Sequence, residues 1–257
     1  MSTRGTVAVV RVRWLTAFLD DSAASFDTMV DFWAEVTMST VSARRGETAQ
    51  FVTLIPADGD ACLRAQRIDE GPGGIHLDLH TDDIDVGVDH AVRLGATVLA
   101  ERGSVVMASP GGFVFCVVGH HAEQARPEPV GTPPSLVDQI CLDIPLNLYQ
   151  VECTFWSELI QWELRLSGSD EFRSLARPAG MPLRLLLQRL GADDERTNVH
   201  AHLDLACGAH HGEHAQWHER LGALTLGSRP FWTTMTDPAG LRYCLTSRDP
   251  VTRLLAG

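Results

Sequence analysis

The chain has 257 residues, with 21 Lys and Arg against 33 Asp and Glu, for a formal net charge of −12. That balance argues against nucleic acid and anionic membranes as partners, because both call for a positive footprint. The length accommodates one large or two medium domains, each able to bury its own core.

The opening stretch MSTRGTVAVVRVRWL carries a four-residue apolar run broken by Arg11 and Arg13. It predicts neither a signal peptide nor a membrane-spanning helix. Cys62, Cys116, Cys141, Cys153, Cys207 and Cys244 form no CxxC pair. In an untargeted chain they read as reduced, mostly buried thiols, and the expected location is cytoplasmic.

Further along, landmarks appear that return later in the same order. FW (32–33) returns at 155–156, HLDL (76–79) at 202–205, and RLGATVL (93–99) as RLGALTL (220–226). FVFCVV after ASPGG returns as LRYCLTS after TDPAG. The offsets are 123, 126, 127 and 128 residues. A period this long is not a solenoid unit; it predicts two tandem copies of one domain. The segment HHAEQARPEPVGTPP (120–134) is rich in Pro, Gly and charge and lacks apolar periodicity, so it reads as a linker between domains at 8–119 and 135–248.

The second copy is the more legible in detail. VDQICLDI predicts a strand, and YQVECTFWSELIQ a helix with Val151, Phe155, Trp156 and Leu159 at helical spacing. MPLRLLLQRL predicts a strand and GADDERTN a polar turn. VHAHLDLA predicts an alternating strand. HHGEHAQWHERLGA predicts a helix ending at Gly222, and TLGSRPFWTTMTDPAGLRYCLTS predicts two or three strands around a DPAG turn. Each half therefore reads as strand, helix and strands, twice over.

This module, with its FW pair, RLGA helix end and WTTMTDPAGLRYC ending (232–244; MASPGGFVFC at 107–116 in the first copy), resembles the vicinal oxygen chelate superfamily. That is the glyoxalase, bleomycin-resistance and extradiol-dioxygenase group, and the likeness is closest to its actinobacterial glyoxalase-like domains. It covers nearly all of residues 10–248. It implies an α+β fold of four βαβββ modules, forming two tandem glyoxalase-like domains with curved mixed sheets. One fold of this kind hosts many reactions, so the likeness does not name one.

The resemblance also implies where ligands of a metal would sit. In the second copy the matching positions are Gln139, His202, Cys244 and either Leu186 or Gln188. In the first they are Thr16, His76, Cys116 and either Arg64 or Gln66. Neither set contains the carboxylates that a hard octahedral ion wants, so no metal and no cofactor are expected. Neither glyoxalase I nor extradiol dioxygenase activity is expected either. In HLDL, alternate residues share a face. His202 and Asp204 should therefore face the cup, as should His76, Asp78 and His80 in the first copy. These could orient a ligand or form structural ion pairs. His202 and Asp204 are the candidate catalytic residues. Cys116 and Cys244 read as small buried hydrophobes rather than nucleophiles. His211, His214 and His218 share one helix face, read as a solvated one, and His120 and His121 as polar linker residues. Trp14, Trp156, Trp162 and Trp232 stand near positions that line or prop the cup.

The expected function is metal-independent binding of a small, apolar or aromatic organic molecule in the second cup. Gln139, Gln188, His202, Asp204, Trp232 and Cys244 are the ligand-binding candidates, with His76 and Asp78 in the first copy. The alternatives are a lyase or isomerase using that cup, and a non-catalytic scaffold with filled cups. Beyond the small molecule, a homodimer is left open as the only protein partner.

Overall fold

The structure is a computed structural model that describes residues 10–69, 71, 73–166 and 169–254. It contains two eight-stranded mixed sheets, one per half, built alike. The first half runs β1 (Val12–Ser22), α1 (Phe26–Val36), β2 (Thr40–Val41), β3 (Phe51–Ile55), β4 (Leu63–Ile68), β5 (Gly74–Thr81), α2 (Ile84–Arg93), β6 (Thr97–Glu101), β7 (Val105–Ala108) and β8 (Val114–Gly119). The second runs β9 (Leu136–Ile144), α3 (Tyr149–Ile160), β10 (Leu164–Leu166), β11 (Phe172–Leu175), β12 (Arg184–Arg189), β13 (His200–Ala206), α4 (His211–Arg220), β14 (Leu224–Arg229), β15 (Trp232–Thr236) and β16 (Arg242–Thr246).

The sheet orders are β2-β3-β4-β1-β5-β8-β7-β6 and β10-β11-β12-β9-β13-β16-β15-β14, so strand for strand the halves correspond. Each half is two βαβββ modules joined through an antiparallel pair of first strands, β1 with β5 and β9 with β13. The sheets are open, ending on β2 and β6 in one half and on β10 and β14 in the other. Among the described residues no helix is long and apolar enough to cross a membrane.

Period-two alternation sets the two faces of the central strands. Leu15, Ala17 and Leu19 of β1, like Ile140, Leu142 and Ile144 of β9, are buried in the core. Thr16, Phe18 and Asp20, and Gln139, Cys141 and Asp143, take the opposite face, which forms the cup. α2 is capped by Asp83, whose carboxylate accepts from Val86 N at 3.0 Å. α4 ends at Arg220 and is capped by Leu221, followed by Gly222 at φ +96°, the left-handed turn that glycine makes without a Cβ clash.

The helices do more than cover their own sheets. Phe32 of α1 packs edge-on against His218 and beside Tyr243 of the second half, with Trp33 also on Tyr243. In return Phe155 and Trp156 of α3 pack on Phe115 of the first half. The repeated FW pair is thus the apolar contact by which each half grips the other. All six cysteines are free and buried.

Two sequence expectations need correction, and one is narrowed. His214 and His218 belong to the inward face of α4, not a solvated one, and His218 is fully buried, sharing a hydrogen bond with Tyr243 Oη at 2.9 Å. Phe32 and Tyr243, supplied by other elements, make that face a core. Val151 is exposed, and Glu152 takes the buried place beside it on α3. Trp14, Trp156 and Trp162 all lie in the core cluster, so they prop the cups rather than line them.

Candidate functional site

Each cup carries the same Asp–His–Asp row at matched positions. In the first half, Asp20 Oδ2 lies 2.6 Å from His76 Nδ1, and His76 Nε2 lies 3.8 Å from Asp78 Oδ1. In the second, Asp143 Oδ1 lies 3.2 Å from His202 Nδ1, and His202 Nε2 lies 3.4 Å from Asp204 Oδ1. Register produces both rows. His76 stands opposite Phe18 and His202 opposite Cys141, one step from the aspartate at the end of β1 or β9.

Burial works against charge on His202, but Cys141 and Asp143, with hydrogen bonds to Asp143 and Asp204, outweigh it and raise His202 well above the ordinary histidine range. His76 is raised in the same way, burial being overcome by the bond and charge of Asp20 and by Asp78. Asp143 is held low: burial pushes it up, but His202 and Arg196 prevail. Arg196 donates to Asp143 at 2.9 Å and to Asp194 at 2.8 and 2.9 Å.

The other predicted residues of the second cup are partly brought together. Gln139 donates to Asp204 Oδ2, and Arg248 pairs with Asp138 and lies 3.9 Å from Asp204 Oδ2. Cys244 sits beside Asp204 in register, with its Sγ 3.7 Å from Thr234 Oγ1. Gln188 lies further along, opposite Asp143, where it contacts Cys141 and donates to Glu171. Trp232 stands at the rim, edge-on to Phe172 from the far arm of the sheet, with ring centroids 6.2 Å apart.

The glyoxalase-type metal implied by the resemblance does not fit these residues. His202, Asp204 and Cys244 have ligand atoms within 4.8 Å of one another, as do His76, Asp78 and Cys116. Yet both nitrogens of His202 are turned to carboxylates, and Asp204 is already shared with the Gln139 amide and the Arg248 guanidinium. Asp204, not His202, is opposite Gln139, and Arg184 flanks Gln139 on its other side. The donor set is one shared carboxylate, one imidazole engaged on both sides, a thiol and an amide, with guanidinium groups beside it. A hard divalent ion calls for more free oxygen than that. The cup is therefore not a wall of aromatic side chains with few charges. Its Asp204 is instead engaged by a buried polar network, with Gln139 bonded to it and Arg248, paired to Asp138, 3.9 Å away.

The first cup is closed differently, by the linker. Asp60 Oδ2 accepts from Gln124 N and Ala125 N at 2.8 and 2.9 Å, which lays the chain across the cup. A Cβ at Gly59 would come 2.5 Å from Arg126 O, so this approach needs a glycine. Glu123 then reaches toward Arg64, His80 and His120. Burial holds His80 low, at about 4.

Open space lies elsewhere. A cleft of about 730 Å³ runs between the halves, lined by Asp20, Asp21, Gly73 and Gly74 on one side and by Asp143, Asp193–Arg196 and Ala239–Arg242 on the other. It exists because the two crossings between halves are not alike. At one, Val199 N donates to Gly111 O at 2.9 Å, and a Cβ on Gly111 would lie 2.6 Å from Val199 Cγ2. At the other, the repeat offsets put Gly73 in the place of Val199 and Ala239 in that of Gly111, and both line the cleft. Where Val199 fills, Gly73 leaves space. Asp20 and Asp143 thus each bond a cup histidine and border the cleft.

Sequence reading missed Asp20, Asp143, Asp138, Arg184, Arg248, Glu123 and Phe172. The first two carried a signal: FLD (18–20) and CLD (141–143) recur at the same 123-residue offset as FW.

Residues 16–118 and 139–246 match the sequence family described as a glyoxalase-like domain. No curated protein matches the chain. Among solved structures, the chain is similar to the Mn(II)-bound glyoxalase from Novosphingobium aromaticivorans, with a TM-score of 0.60, 17% identity, and coverage of 95% of this chain and 85% of that one. It is also similar to the 2,3-dioxygenase LapB from Pseudomonas sp. KL28, at 0.61, 13%, 93% and 93%. For 2,2',3-trihydroxybiphenyl 1,2-dioxygenase from Sphingomonas wittichii strain RW1 the values are 0.59, 13%, 93% and 90%. At such identities the likeness is one of fold, that of the vicinal oxygen chelate superfamily.

Proposed function

Because this chain belongs to the glyoxalase-like domain family, whose sheets form cups that its own residues here fill, we propose that it binds a small organic molecule in the cleft between its halves, without a metal at the family's ligand positions in either cup. The observation that carries this reading is the cleft itself. Its size suits a small ligand, and it draws on both halves. Its lining carries Asp20, Asp21, Asp143, Asp193, Asp194 and Glu195 against Arg196 and Arg242. Arg196 is spent on Asp143 and Asp194. Asp20 Oδ1 and Asp21 Oδ2 have no hydrogen-bond partner, and these unpaired carboxylate oxygens behind the cleft wall add to a negative field that favours a cationic ligand. The ligand is accordingly cationic and rich in N–H donors, rather than apolar or aromatic as an aromatic-walled cup with few charges suggested.

In this reading the cups are supports. The Asp–His–Asp rows hold Asp20 and Asp143 in place, with His76 and His202 as charged partners behind them. The scaffold alternative thus accounts for the cups and the binding alternative for the cleft. A lyase or isomerase reading would need a free base facing a ligand, and His202 has carboxylates on both sides.

Spermidine is a suitable probe, with citrate as the anionic control. A ligand bound only by the native state at a hundred times its Kd adds about 2.7 kcal/mol of stability. At low ionic strength spermidine should raise the thermal midpoint by several degrees, less in Asp20→Asn, while citrate leaves it unchanged. Stabilisation by citrate alone, or equal stabilisation of parent and variant, would overturn the reading.

A further inference from the structure

We propose that the linker over the first cup completes a zinc site of two histidines and one glutamate: His80 on β5, and His120 and Glu123 on the linker. This assignment is independent of the cleft and lies outside the metal positions carried over from the family, since His80 is four residues past His76.

The geometry comes first. His80 Nδ1 lies 4.0 Å and His120 Nδ1 3.6 Å from the same oxygen, Glu123 Oε2. All three atoms lie within 4.8 Å of one another. Zinc held at about 2.0–2.1 Å by nitrogen and oxygen in tetrahedral geometry spaces its ligand atoms about 3.4 Å apart. Shifts of up to about an ångström, taken mainly by the two linker side chains, would seat the ion. Three protein ligands leave the fourth position open to water.

The atoms themselves point to a ligand. Nδ1 of both His80 and His120 is buried without a hydrogen-bond partner, and the His80 side chain is only 2% exposed. A buried imidazole nitrogen in that state is costly unless something binds it. The other nitrogen of His80 shares a 2.9 Å hydrogen bond with Thr16 Oγ1. If Nε2 carries the proton and donates it to Thr16, the Nδ1 lone pair faces the site, and the ring is held as ligating histidines commonly are.

The linker half of the site is also fixed in advance. His120 N donates to Thr81 O at 2.9 Å, and Asp60 anchors the amides just beyond Glu123. Binding therefore orders little additional chain. One group opposes the ion: Arg64, whose Nη2 lies 3.7 Å from Glu123 Oε1. It approaches the oxygen that faces away from the histidines, leaving Oε2 for zinc, and its charge should weaken binding without abolishing it.

The test uses the full chain purified without a histidine tag, titrated with zinc chloride by calorimetry, with cobalt(II) as the spectroscopic stand-in. One ion should bind per chain, cobalt(II) should give the visible absorption of a four-coordinate site, and amide hydrogen exchange over residues 119–126 should slow. His120→Ala and Glu123→Gln, both on the linker and outside the core, should each weaken zinc at least tenfold. Arg64→Gln should tighten it several-fold. The double variant His210→Ala with His211→Ala, at the start of α4, should leave it unchanged. No zinc binding, or binding that survives both linker variants, or binding lost with His210 and His211, would overturn the assignment.

Discussion

Trp33 donates its indole N–H to Asp237 Oδ2 at 2.8 Å, across 204 positions of sequence. The same carboxylate accepts from Ala239 N and Leu241 N through Oδ1, both at 2.9 Å. One buried aspartate thus closes the DPAG turn and fastens it to a helix of the other half. The related crossing has a serine at the turn, Ser109, and takes its carboxylate from the helix. Glu152 accepts from Trp156 Nε1 at 2.8 Å and from Gly111 N at 2.6 Å. By the 123-residue offset, Glu152 corresponds to Met29. The requirement is for one carboxylate between an indole and a turn, and either chain segment can supply it.

Asp237→Ser should therefore cost about 2–4 kcal/mol, since several buried donors lose a charged acceptor. Adding Met29→Glu should restore part of that loss. In urea unfolding, the double variant is expected to be about 1–2 kcal/mol more stable than the sum of the single changes implies. Additive costs would mean that the two crossings are not interchangeable.

His218 predicts an acid weakness. Burial, with His214 beside it, lowers it from 6.5 to about 3. Between those values the unfolded chain takes up a proton that the folded protein refuses, so stability falls as pH falls through that window, by about 1.4 kcal/mol per pH unit. Above 6.5 the group contributes no slope. In His218→Gln this part of the pH dependence should vanish while the rest persists, as measured by urea midpoints between pH 4 and about pH 7. An unchanged slope would place a proton on His218 in the folded state.

His202 has the opposite sign. Its folded value lies above its unfolded one, so its contribution is fully present below the unfolded value and lost as pH rises through the folded one. Nitrogen-detected NMR at neutral pH should find both nitrogens of His202 protonated, and Asp143→Asn should bring its titration down toward the ordinary range. A neutral His202 in the parent protein would remove the charged support proposed for Asp143.

Most of the fold was legible because the chain repeats itself. FW, HLDL, RLGA and the two turn-and-cysteine endings marked equivalent points of two equal domains, and the sheets match strand for strand. The cups were half legible. His76, Asp78, His202 and Asp204 face inward as strand parity requires. The local sequence cannot say that Arg248, beyond the last repeated landmark, turns back to Asp138, because that contact is made only once the sheet has formed. Nor can it say that the linker lies over a cup, which depends on Asp60 and Gly59 far away in the chain. The cleft was invisible for a related reason. It is the difference between Val199 and Gly73, two residues that matter only when the halves meet.

The cleft is the centre of the functional account, and it is tested most directly by calorimetric titration of spermidine at low salt into the parent protein, Asp20→Asn, Asp143→Asn and Ala239→Trp. The account predicts one site per chain in the parent. It predicts at least a tenfold loss, about 1.4 kcal/mol, whether the change is made in the first half, in the second half, or by filling the space between them. Undiminished binding in all three variants, or no binding to the parent, would contradict it.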